Sequence, residues 1–374
     1  LGQIVENAGA AAVLPVTELQ TSIAEGLGRR QDLRFFCEPL AASPAGAQLT
    51  RPEPEQLAFI QYTSGSTGVP KGVMVRHSQL IANERAIQSV TGLSEGVVGA
   101  GWLPQFHDMG LIGALLQPVS LGGHYVFMSP LHFLQRPLRW LTLLSQCGAA
   151  ATGAPNFALA LCVQAEIDER TAAQLDLSAL RILFCGAEPI SATVLERFEE
   201  KFAPYGLRAG TVVPCYGLAE ATLIVSGGVQ ANGQRVLNVV RKDLENGLLR
   251  MAGEAAQDVQ ALVNCGPVVR DHRVAIVDPE SRRLVEDGQT GEVWFSGPSV
   301  ASGYWANARA SAATFSATTA CGQGPWMRTG DLGFCHDGSL YIAGRIKELI
   351  ILRGRNVHPH DLEASLRDAH PALA

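Results

Sequence analysis

Between residue 57 and about residue 228 the chain alternates short apolar runs with amphipathic stretches. The clearest apolar runs are residues 125–128, 149–152 and 182–185, and the clearest helical candidates are residues 77–90, 137–146 and 191–202. Strands that alternate with helices predict a parallel α/β sheet. Turn-forming segments follow the predicted strands, and a sheet of this kind binds its ligands where its strands end. We therefore expect a binding site at that edge.

The remaining parts of the chain have different sequence patterns. Residues 1–56 predict a helix, a short buried strand at residues 10–14 and a surface connection over residues 41–56. Residues 229–262 are mixed and weakly periodic. From residue 263 to residue 345, short β segments recur with Gly, Asp and Pro turns, which predicts an antiparallel sheet or a small barrel.

Residues 62–72 read Tyr-Thr-Ser-Gly-Ser-Thr-Gly-Val-Pro-Lys-Gly and join two predicted strands. Glycines let a backbone curl so that its N–H groups surround an anion, and hydroxyls and a lysine add further donors. The pattern therefore favours binding of a nucleotide's phosphates. It differs from the common P-loop, because Gly72 stands where that motif needs Ser or Thr. The alternative is a flexible surface loop rich in Ser and Gly.

Composition excludes several classes of protein. The formal net charge of −6 and the lack of Lys/Arg-rich runs argue against a nucleic-acid binder. The eight cysteines are scattered without a C-x-x-C pair, which predicts reduced thiols in a cytoplasmic protein and argues against a disulfide framework or a zinc site. No apolar run reaches the roughly 18 residues of an integral membrane segment. The first residues do not resemble a signal peptide.

The order of residues 62–72 resembles the signature of the adenylate-forming superfamily: acyl-CoA synthetases, firefly luciferases, peptide-synthetase adenylation domains and fatty acyl-AMP ligases. This resemblance implies the α/β fold of an adenylate-forming large domain, in which a parallel α/β part precedes a small antiparallel β part. It implies that ATP is bound and that Lys71 supplies catalytic positive charge. The ATP-binding residues of this loop would be Thr63, Ser64, Gly65, Ser66, Thr67 and Gly68.

Residues 102–111 read Trp-Leu-Pro-Gln-Phe-His-Asp-Met-Gly-Leu and resemble the superfamily's second motif. In that family the histidine, here His107, lies at the mouth of the acyl pocket near the reacting carboxylate. The run from His107 to Gly113 looks most like fatty acyl-AMP ligases. The resemblance implies acyl-binding roles for His107, Gly110, Gly153 and Asn156. Taken alone, a His-Asp pair is more often structural than catalytic, and the turn at residues 153–156 could simply be buried.

Two further turns, at residues 186–189 and 214–222, follow predicted strands. A flat turn and an aromatic ring can enclose a planar base. The resemblance places one adenine face against the first turn and the other against Tyr216, with Gly217 beside it; the residues of the first turn are Gly186, Ala187, Glu188 and Pro189. Glu220 resembles the Mg²⁺ ligand, with Thr67 contributing, since Mg²⁺ prefers one or two carboxylates plus phosphate oxygens. The alternative for Glu220 is a helix-start residue favoured by the macrodipole.

Residues 326–333 read Trp-Met-Arg-Thr-Gly-Asp-Leu-Gly, and a carboxylate in such a turn can accept both ribose hydroxyls. The resemblance assigns that role to Asp331. Arg345 would reach the ribose or the phosphates and is a candidate catalytic residue. Lys347 stands at the pivot of the family's hinge between its large and small domains. An ordinary strand and turn with solvated charges is the alternative.

The resemblance divides the chain into five parts. They are residues 1–56 (a remnant of a first α/β subdomain), 57–228 (the α/β subdomain with the ATP and acyl site), 229–262 (an insertion of the fatty acyl-AMP ligase type), 263–345 (the β-rich subdomain) and 346–374 (the hinge and the start of a small C-terminal domain). The family's small domain supplies a lysine for adenylation, and that lysine is absent from this sequence. We expect a fragment of a longer protein, or a protein in which the first half-reaction is impaired.

The leading prediction is a fatty acyl-AMP ligase that uses ATP and Mg²⁺ to convert a fatty acid to its acyl-adenylate. The acyl group would then pass to an acyl carrier protein or a carrier domain of a polyketide synthase. The first alternative is a fatty acyl-CoA synthetase with the same first step. A peptide-synthetase adenylation domain ranks lower, because no acidic residue is evident to hold an α-amino group. A non-catalytic adenylate-binding or carrier-docking module is the alternative from another class of protein.

Overall fold

The computed structural model describes residues 1–15, 20–28, 33–36, 51–63, 69–228, 235–253, 255–256, 258–352, 355–357 and 359. The predicted ATP-binding residues 64–68 therefore lie outside the described residues. So do most of the predicted surface connection at residues 41–56 and most of residues 346–374.

The amino-terminal part forms a small unit and then a hairpin. Its elements are α1 (Gly2–Ala8), β1 (Ala12–Val13), α2 (Gln20–Gly26), β2 (Arg34–Phe35), β3 (Leu57–Thr63) and β4 (Lys71–Arg76). β1 pairs with β2 in parallel and covers two of the five residues of the strand predicted at residues 10–14. The prediction that this strand is buried is wrong, because both residues of β1 are only half-buried and Leu14 is exposed. β3 and β4 pair in antiparallel fashion, with Thr63 opposite Lys71. Residues 64–70 thus connect two strands that pair with each other.

A five-stranded parallel sheet with helices confirms the α/β prediction. Its elements in chain order are α3 (His77–Thr91), β5 (Val98–Gly101), a π-helix (Met109–Leu116), α4 (Gln117–Ser120), β6 (His124–Phe127), α5 (Pro130–Gln135), α6 (Leu138–Cys147), β7 (Ala151–Ala154), α7 (Asn156–Gln164), α8 (Glu169–Ala172), β8 (Ile182–Cys185), α9 (Ala192–Phe202), a 3-10 turn (Ala203–Tyr205) and β9 (Val212–Pro214). The strand order is β6-β5-β7-β8-β9, and all pairings are parallel. All four residues of β7 are buried, as expected for a central parallel strand.

The local signals for the helices agree with their ends. Ser191 caps α9 by accepting a hydrogen bond from the backbone N–H of Val194, and Gly148 ends α6 in the left-handed conformation. The apolar faces of these two helices join the core of the sheet through Trp140, Phe198 and Phe202, which are fully buried.

The carboxy-terminal part is built from antiparallel pairs, which the sequence predicts for residues 263–345 and which the structure shows from residue 216 onward. Its elements are β10 (Tyr216–Gly217), a 3-10 turn (Ala219–Ala221), β11 (Ile224–Ser226), β12 (Val236–Val240), α10 (Arg241–Glu245), β13 (Val259–Val263), β14 (Arg273–Val277), β15 (Gly291–Ser296), α11 (Ala308–Phe315), β16 (Met327–His336), β17 (Ser339–Arg345), a 3-10 turn (Ile346–Glu348), β18 (Ile350–Leu352) and β19 (Arg355–Val357). β14 to β17 form one four-stranded sheet in sequential order.

The described residues of the predicted insertion at 229–262 contribute the pair β12–β13 and the helix α10. β13 continues one residue past the predicted boundary at residue 262. Leu237 and Leu262 pack with Phe334 and Tyr341 of the four-stranded sheet, so this segment shares a core with that sheet. The division into five parts stays a prediction.

Among the described residues, no helix has both the length and the apolar character that crossing a membrane requires.

Candidate active site

A cavity of about 970 Å³ opens where the β3–β4 hairpin, the carboxyl ends of the parallel strands and the β16–β17 strands meet. One end is polar and carries Lys71, Glu220, Asp331 and Arg345. The other end is apolar and is lined by Leu103, Met109, Ala114, Phe184 and Leu223. The edge predicted from the alternating pattern is therefore the edge that carries the cavity.

Asp331 is the most constrained carboxylate at the polar end. It is buried at 4% exposure, and its Oδ2 accepts a hydrogen bond from the hydroxyl of Tyr216 at 2.5 Å. Its Oδ1 accepts from Nε of Arg345 at 3.0 Å. Burial raises the pKa of Asp331, while Arg345 and the Tyr216 hydrogen bond oppose that rise. Each carboxylate oxygen has two lone pairs, so each retains one position for a further hydroxyl donor.

Glu292, on β15, contacts the Asp331 turn, which is an irregular segment within strand β16 where the register with β15 shifts and Gly330 has a positive φ. The side chain of Glu292 is 2% exposed. Oε2 accepts from Nε1 of Trp294 and from Nε of Arg328, both at 2.9 Å, and Oε1 accepts from the backbone N–H of Gly330 at 3.0 Å. The Oγ1 of Thr329 accepts from the backbone N–H of Asp331 at 3.1 Å. The carboxylate of Glu292 therefore fixes the conformation of the turn.

Tyr304 contacts both Lys71 and Glu220, the two other charged residues at the polar end of the cavity. Its hydroxyl donates to Oε1 of Glu220 at 2.8 Å, and Nζ of Lys71 lies 4.8 Å from the centroid of its ring. An ammonium group above an aromatic face is attracted by the ring quadrupole. Burial and the neighbouring Glu220 raise the pKa of Tyr304, so its hydroxyl stays protonated and donates. The tyrosine thus holds Lys71 and Glu220 on the same side of the cavity.

A single carboxylate at this position fits Mg²⁺, the ion implied by the resemblance. Among the described residues, no group of three or more His, Cys, Asp or Glu side chains could hold a metal by itself. Mg²⁺ does not need such a group, because it takes one or two carboxylates together with phosphate oxygens and waters. Glu220 accepts only one described hydrogen bond at Oε1 and faces the cavity, so it retains the capacity for a cation.

His107 and Asp108 lie between the polar and the apolar ends. Nδ1 of His107 is 2.7 Å from Oδ1 of Asp108, and this contact raises the pKa of His107. Asp108 is buried and also accepts from the backbone N–H of Met109 at 2.7 Å, where the π-helix begins. π-helical segments are rare and occur frequently at functional sites. Asp108 therefore orients the histidine and starts the helix that lines the apolar end.

The structure separates the predicted site residues into two groups. Those that line the cavity are Thr63, Lys71, His107, Gly153, Ala187, Tyr216, Gly217, Glu220, Asp331, Arg345 and Lys347. Those that are described but do not line it are Gly110, Asn156, Gly186, Glu188 and Pro189. The roles of both groups stay predictions.

Packing accounts for some residues that do not line the cavity. A Cβ at Gly110 would overlap the carbonyl oxygen of Pro104, so this glycine permits a close backbone approach. Oδ1 of Asn156 accepts from the backbone N–H of Ser191 at 3.1 Å, and Oε1 of Glu188 accepts from that of Phe157 at 2.5 Å. These side chains tie the beginning of α7 to the segment before α9.

Several residues of the cavity were not selected from the sequence. Tyr304, Glu292, Arg328 and Thr329 belong to this set. A signal existed for Glu292, because a carboxylate within the apolar strand Gly-Glu-Val-Trp-Phe must be paired when buried. Tyr304 had no comparable signal, since its partners lie 233 and 84 positions away in the chain.

A family model described as AMP-binding enzyme matches residues 1–305. The chain belongs to the AMP-binding enzymes. The predicted resemblance to adenylate-forming enzymes and the predicted fold class are thereby confirmed.

Fatty-acid ligases are among the relatives of this AMP-binding enzyme. It is 42% identical over 329 residues to a medium-chain-fatty-acid–[acyl-carrier-protein] ligase of Teredinibacter turnerae, covering 86% of this chain and 51% of that protein. It is 36% identical over 395 aligned positions to a long-chain-fatty-acid–AMP ligase of Mycolicibacterium smegmatis, covering 100% of this chain and 62% of that protein.

A solved structure is similar along nearly the whole chain. It is a fatty acyl-adenylate ligase from Legionella pneumophila in complex with acyl adenylate and pyrophosphate, with a TM-score of 0.85 and 36% identity, covering 98% of this chain and 64% of that one. This AMP-binding enzyme thus spans between about half and two thirds of the length of these relatives.

Proposed function

We propose that this AMP-binding enzyme activates a fatty acid with ATP, forming a fatty acyl-adenylate and pyrophosphate. The observation that carries the proposal is the single cavity whose charged end continues into an apolar end. A nucleotide needs the first end and an aliphatic chain needs the second. The relatives named as fatty-acid ligases support the same assignment.

In this reaction a carboxylate oxygen of the fatty acid bonds to the α-phosphorus of ATP, and the bond to pyrophosphate breaks. Both reactants are negatively charged, so the protein must supply positive charge and position them. Lys71 would face the phosphates at the end of the hairpin. Arg345 would reach them or the ribose, and Asp331 would accept the ribose hydroxyls. His107, whose pKa the contact with Asp108 raises, would hold the carboxylate.

Glu220 would hold Mg²⁺, together with Thr67 of the loop outside the described residues. Bound Mg²⁺ neutralises phosphate charge. Ala187 and Tyr216, which line the cavity, would enclose the adenine. Gly153 would face the acyl chain, and Lys347 would be the pivot of a hinge.

The acyl group would then pass to the phosphopantetheine arm of an acyl carrier protein. This second step is supported by the name of the Teredinibacter relative, an acyl-carrier-protein ligase. We place the reaction in the cytoplasm, in keeping with the seven described cysteines, all of which are free thiols.

Mass spectrometry of the reaction products tests the proposal. The protein in its full natural length is incubated with ATP, Mg²⁺ and fatty acids from octanoate to tetradecanoate. We expect an acyl-adenylate, and a Lys71→Met variant that forms it about a hundredfold more slowly. Lys242→Met, an exposed lysine of α10, is the matched control and keeps the wild-type rate.

Two results would contradict the proposal. If no acyl-adenylate forms with any of the acids, the proposed adenylation step is wrong. Steady formation of acyl-CoA when CoA is added, with no transfer to a carrier protein, would replace the second step by that of an acyl-CoA synthetase.

A further inference from the structure

Beyond the apolar end of the main cavity lies a second, much smaller one of about 20 Å³. Four residues line both cavities: Gly113, Ala114, Thr152 and Phe184. The small cavity therefore adjoins the apolar end of the main cavity, and the wall that they share includes a glycine and an alanine of the π-helix. A volume of this size accommodates about one water-sized group.

Tyr125 reaches this small cavity from the edge strand β6. Its register partner on β5 is Gly99, and a Cβ there would lie 2.9 Å from ring atom Cδ2. A Cβ at Gly101 would overlap the Tyr125 hydroxyl oxygen and would lie 3.4 Å from Oγ1 of Thr152. The two glycines of β5 thus leave room for the ring to cross the strand and bring its hydroxyl to the neighbourhood of Thr152.

The hydroxyl of Tyr125 is buried and has no hydrogen-bond partner among the described residues. Burial of an unpaired hydroxyl costs free energy, so such a group calls for an explanation. Burial also raises the pKa of Tyr125, so the hydroxyl is protonated and can donate. Nearby, Oγ1 of Thr152 accepts from Nε1 of Trp140 at 3.2 Å, which leaves its own proton available.

An apolar cavity end that adjoins an unpaired buried hydroxyl suits a ligand with an apolar chain and a polar terminus. We propose that the small cavity receives the terminal hydroxyl of an ω-hydroxy fatty acid, bound by Tyr125 with Thr152 beside it. The inference rests on the proposed function, because it concerns the far end of the same acyl site. Tyr125 is then a residue that determines substrate specificity.

Matched pairs of substrates test this inference. Octanoate, decanoate, dodecanoate and tetradecanoate are each compared with their ω-hydroxy counterparts, and kcat/KM for adenylate formation is measured with the full-length protein. For the length that reaches Tyr125, we expect the hydroxyl to raise kcat/KM about tenfold over the unsubstituted acid. The hydroxyl should lower kcat/KM for shorter acids, because it would be buried without a partner.

Tyr125→Phe removes the hydroxyl without changing the ring, and it should abolish the preference for the ω-hydroxy acid over the unsubstituted acid of the same length. Its melting temperature should equal or exceed that of the wild type, because the variant no longer buries an unpaired hydroxyl. Tyr205→Phe, in the 3-10 turn after α9 and outside both cavities, is the matched control and should keep the preference.

The inference is overturned if no ω-hydroxy acid is preferred at any length. A water bound firmly in the small cavity would give this result, because it would occupy the place of the ω-hydroxyl. The inference is also overturned if the preference survives in Tyr125→Phe. In both cases adenylation of the unsubstituted acids leaves the proposed function standing. If neither series is adenylated, the proposed function fails as well.

Discussion

Asp108 serves two purposes with one carboxylate. It accepts the first backbone N–H of the π-helix, and it lies within hydrogen-bonding distance of His107, whose side chain is 54% exposed. The raised pKa of His107 has the hydrogen bond to Asp108 as its main cause, with burial acting in the opposite direction. Asparagine can still cap a helix but carries no charge. The substitution Asp108→Asn should therefore keep the cap of the π-helix and remove the charge beside His107.

We predict that Asp108→Asn lowers the pKa of His107 without unfolding the π-helix. In the wild type, KM for the fatty acid should rise as the pH rises through the raised pKa of His107, because the imidazolium loses its proton. In the variant this rise should begin at lower pH, and KM at intermediate pH should be about threefold higher. Histidine NMR titration, with His107→Gln for assignment, and KM against pH are the measurements.

Asp287→Asn, in an exposed turn, is the control for this experiment and should match the wild type. An unchanged pKa of His107 in Asp108→Asn would show that the contact does not govern its protonation.

At the scale of elements, β15 and β16 present the Asp331 turn where an ion pair joins the two strands, with Glu292 buried and Arg328 half-buried. The pair of Glu292 and Arg328 spans the two strands where their register shifts, and Glu292 also binds the backbone of Gly330. A buried ion pair adds little stability over an apolar pair, but removal of one partner leaves an uncompensated charge. The turn therefore depends on Glu292 for its stability and for its shape.

We predict that Glu292→Gln destabilises the protein by about 3 kcal/mol, because Arg328 loses its buried counter-charge. The variant should also bind AMP more weakly, since Asp331 is no longer held in place. Urea unfolding and calorimetric titration with AMP measure the two effects. Glu280→Gln makes the same chemical change at an exposed position and should alter neither. A stable variant with weakened AMP binding would contradict the structural part of this prediction.

At the scale of the whole molecule, α3 buries a carboxyl group in the core. Glu84 is 7% exposed, and burial raises its pKa from 4.5 to about 8. The adjacent Gln117 can donate its amide to the backbone oxygen of Glu84 at 3.0 Å and to the carboxyl group. Asn83, the preceding residue, accepts from the backbone N–H of Ile224 at 3.2 Å. The helix thus joins the parallel sheet to the segment that follows Glu220.

We predict that the free energy of unfolding falls between about pH 5 and pH 8, with a contribution from Glu84 of up to about 1.4 kcal/mol per pH unit. The folded state binds the proton more tightly than the unfolded state. The stabilising contribution of protonated Glu84 is therefore complete below its ordinary pKa of 4.5. It is lost as the pH rises toward the pKa of about 8 that Glu84 has in the folded protein. Glu84→Gln should flatten this slope in urea titrations at several pH values.

The exposed Glu95→Gln provides the comparison and should keep the wild-type slope. An identical slope in Glu84→Gln would mean that Glu84 is ionised in the folded protein.

The sequence by itself determined the parts that depend on neighbours in the chain. Alternation of apolar and amphipathic stretches predicted the parallel sheet and its helices, because strand and helix periods are local properties. The run of Gly, Ser and Thr residues before Lys71 and the Gly-Asp pair at Asp331 are local patterns as well, and the structure places both Lys71 and Asp331 in the wall of the cavity.

Only the tertiary structure decided which side chains support those residues. Tyr304 contacts Lys71 and Glu220, and Glu292 contacts the Asp331 turn, each across a long separation in the chain. The hydrogen bond of Asn156 to Ser191 and the close backbone approach at Gly110 also join segments that are apart in the chain, while the acyl-binding roles of these two residues stay predictions. The physical reason is that burial and hydrogen bonding depend on distance in space, which a linear pattern does not record.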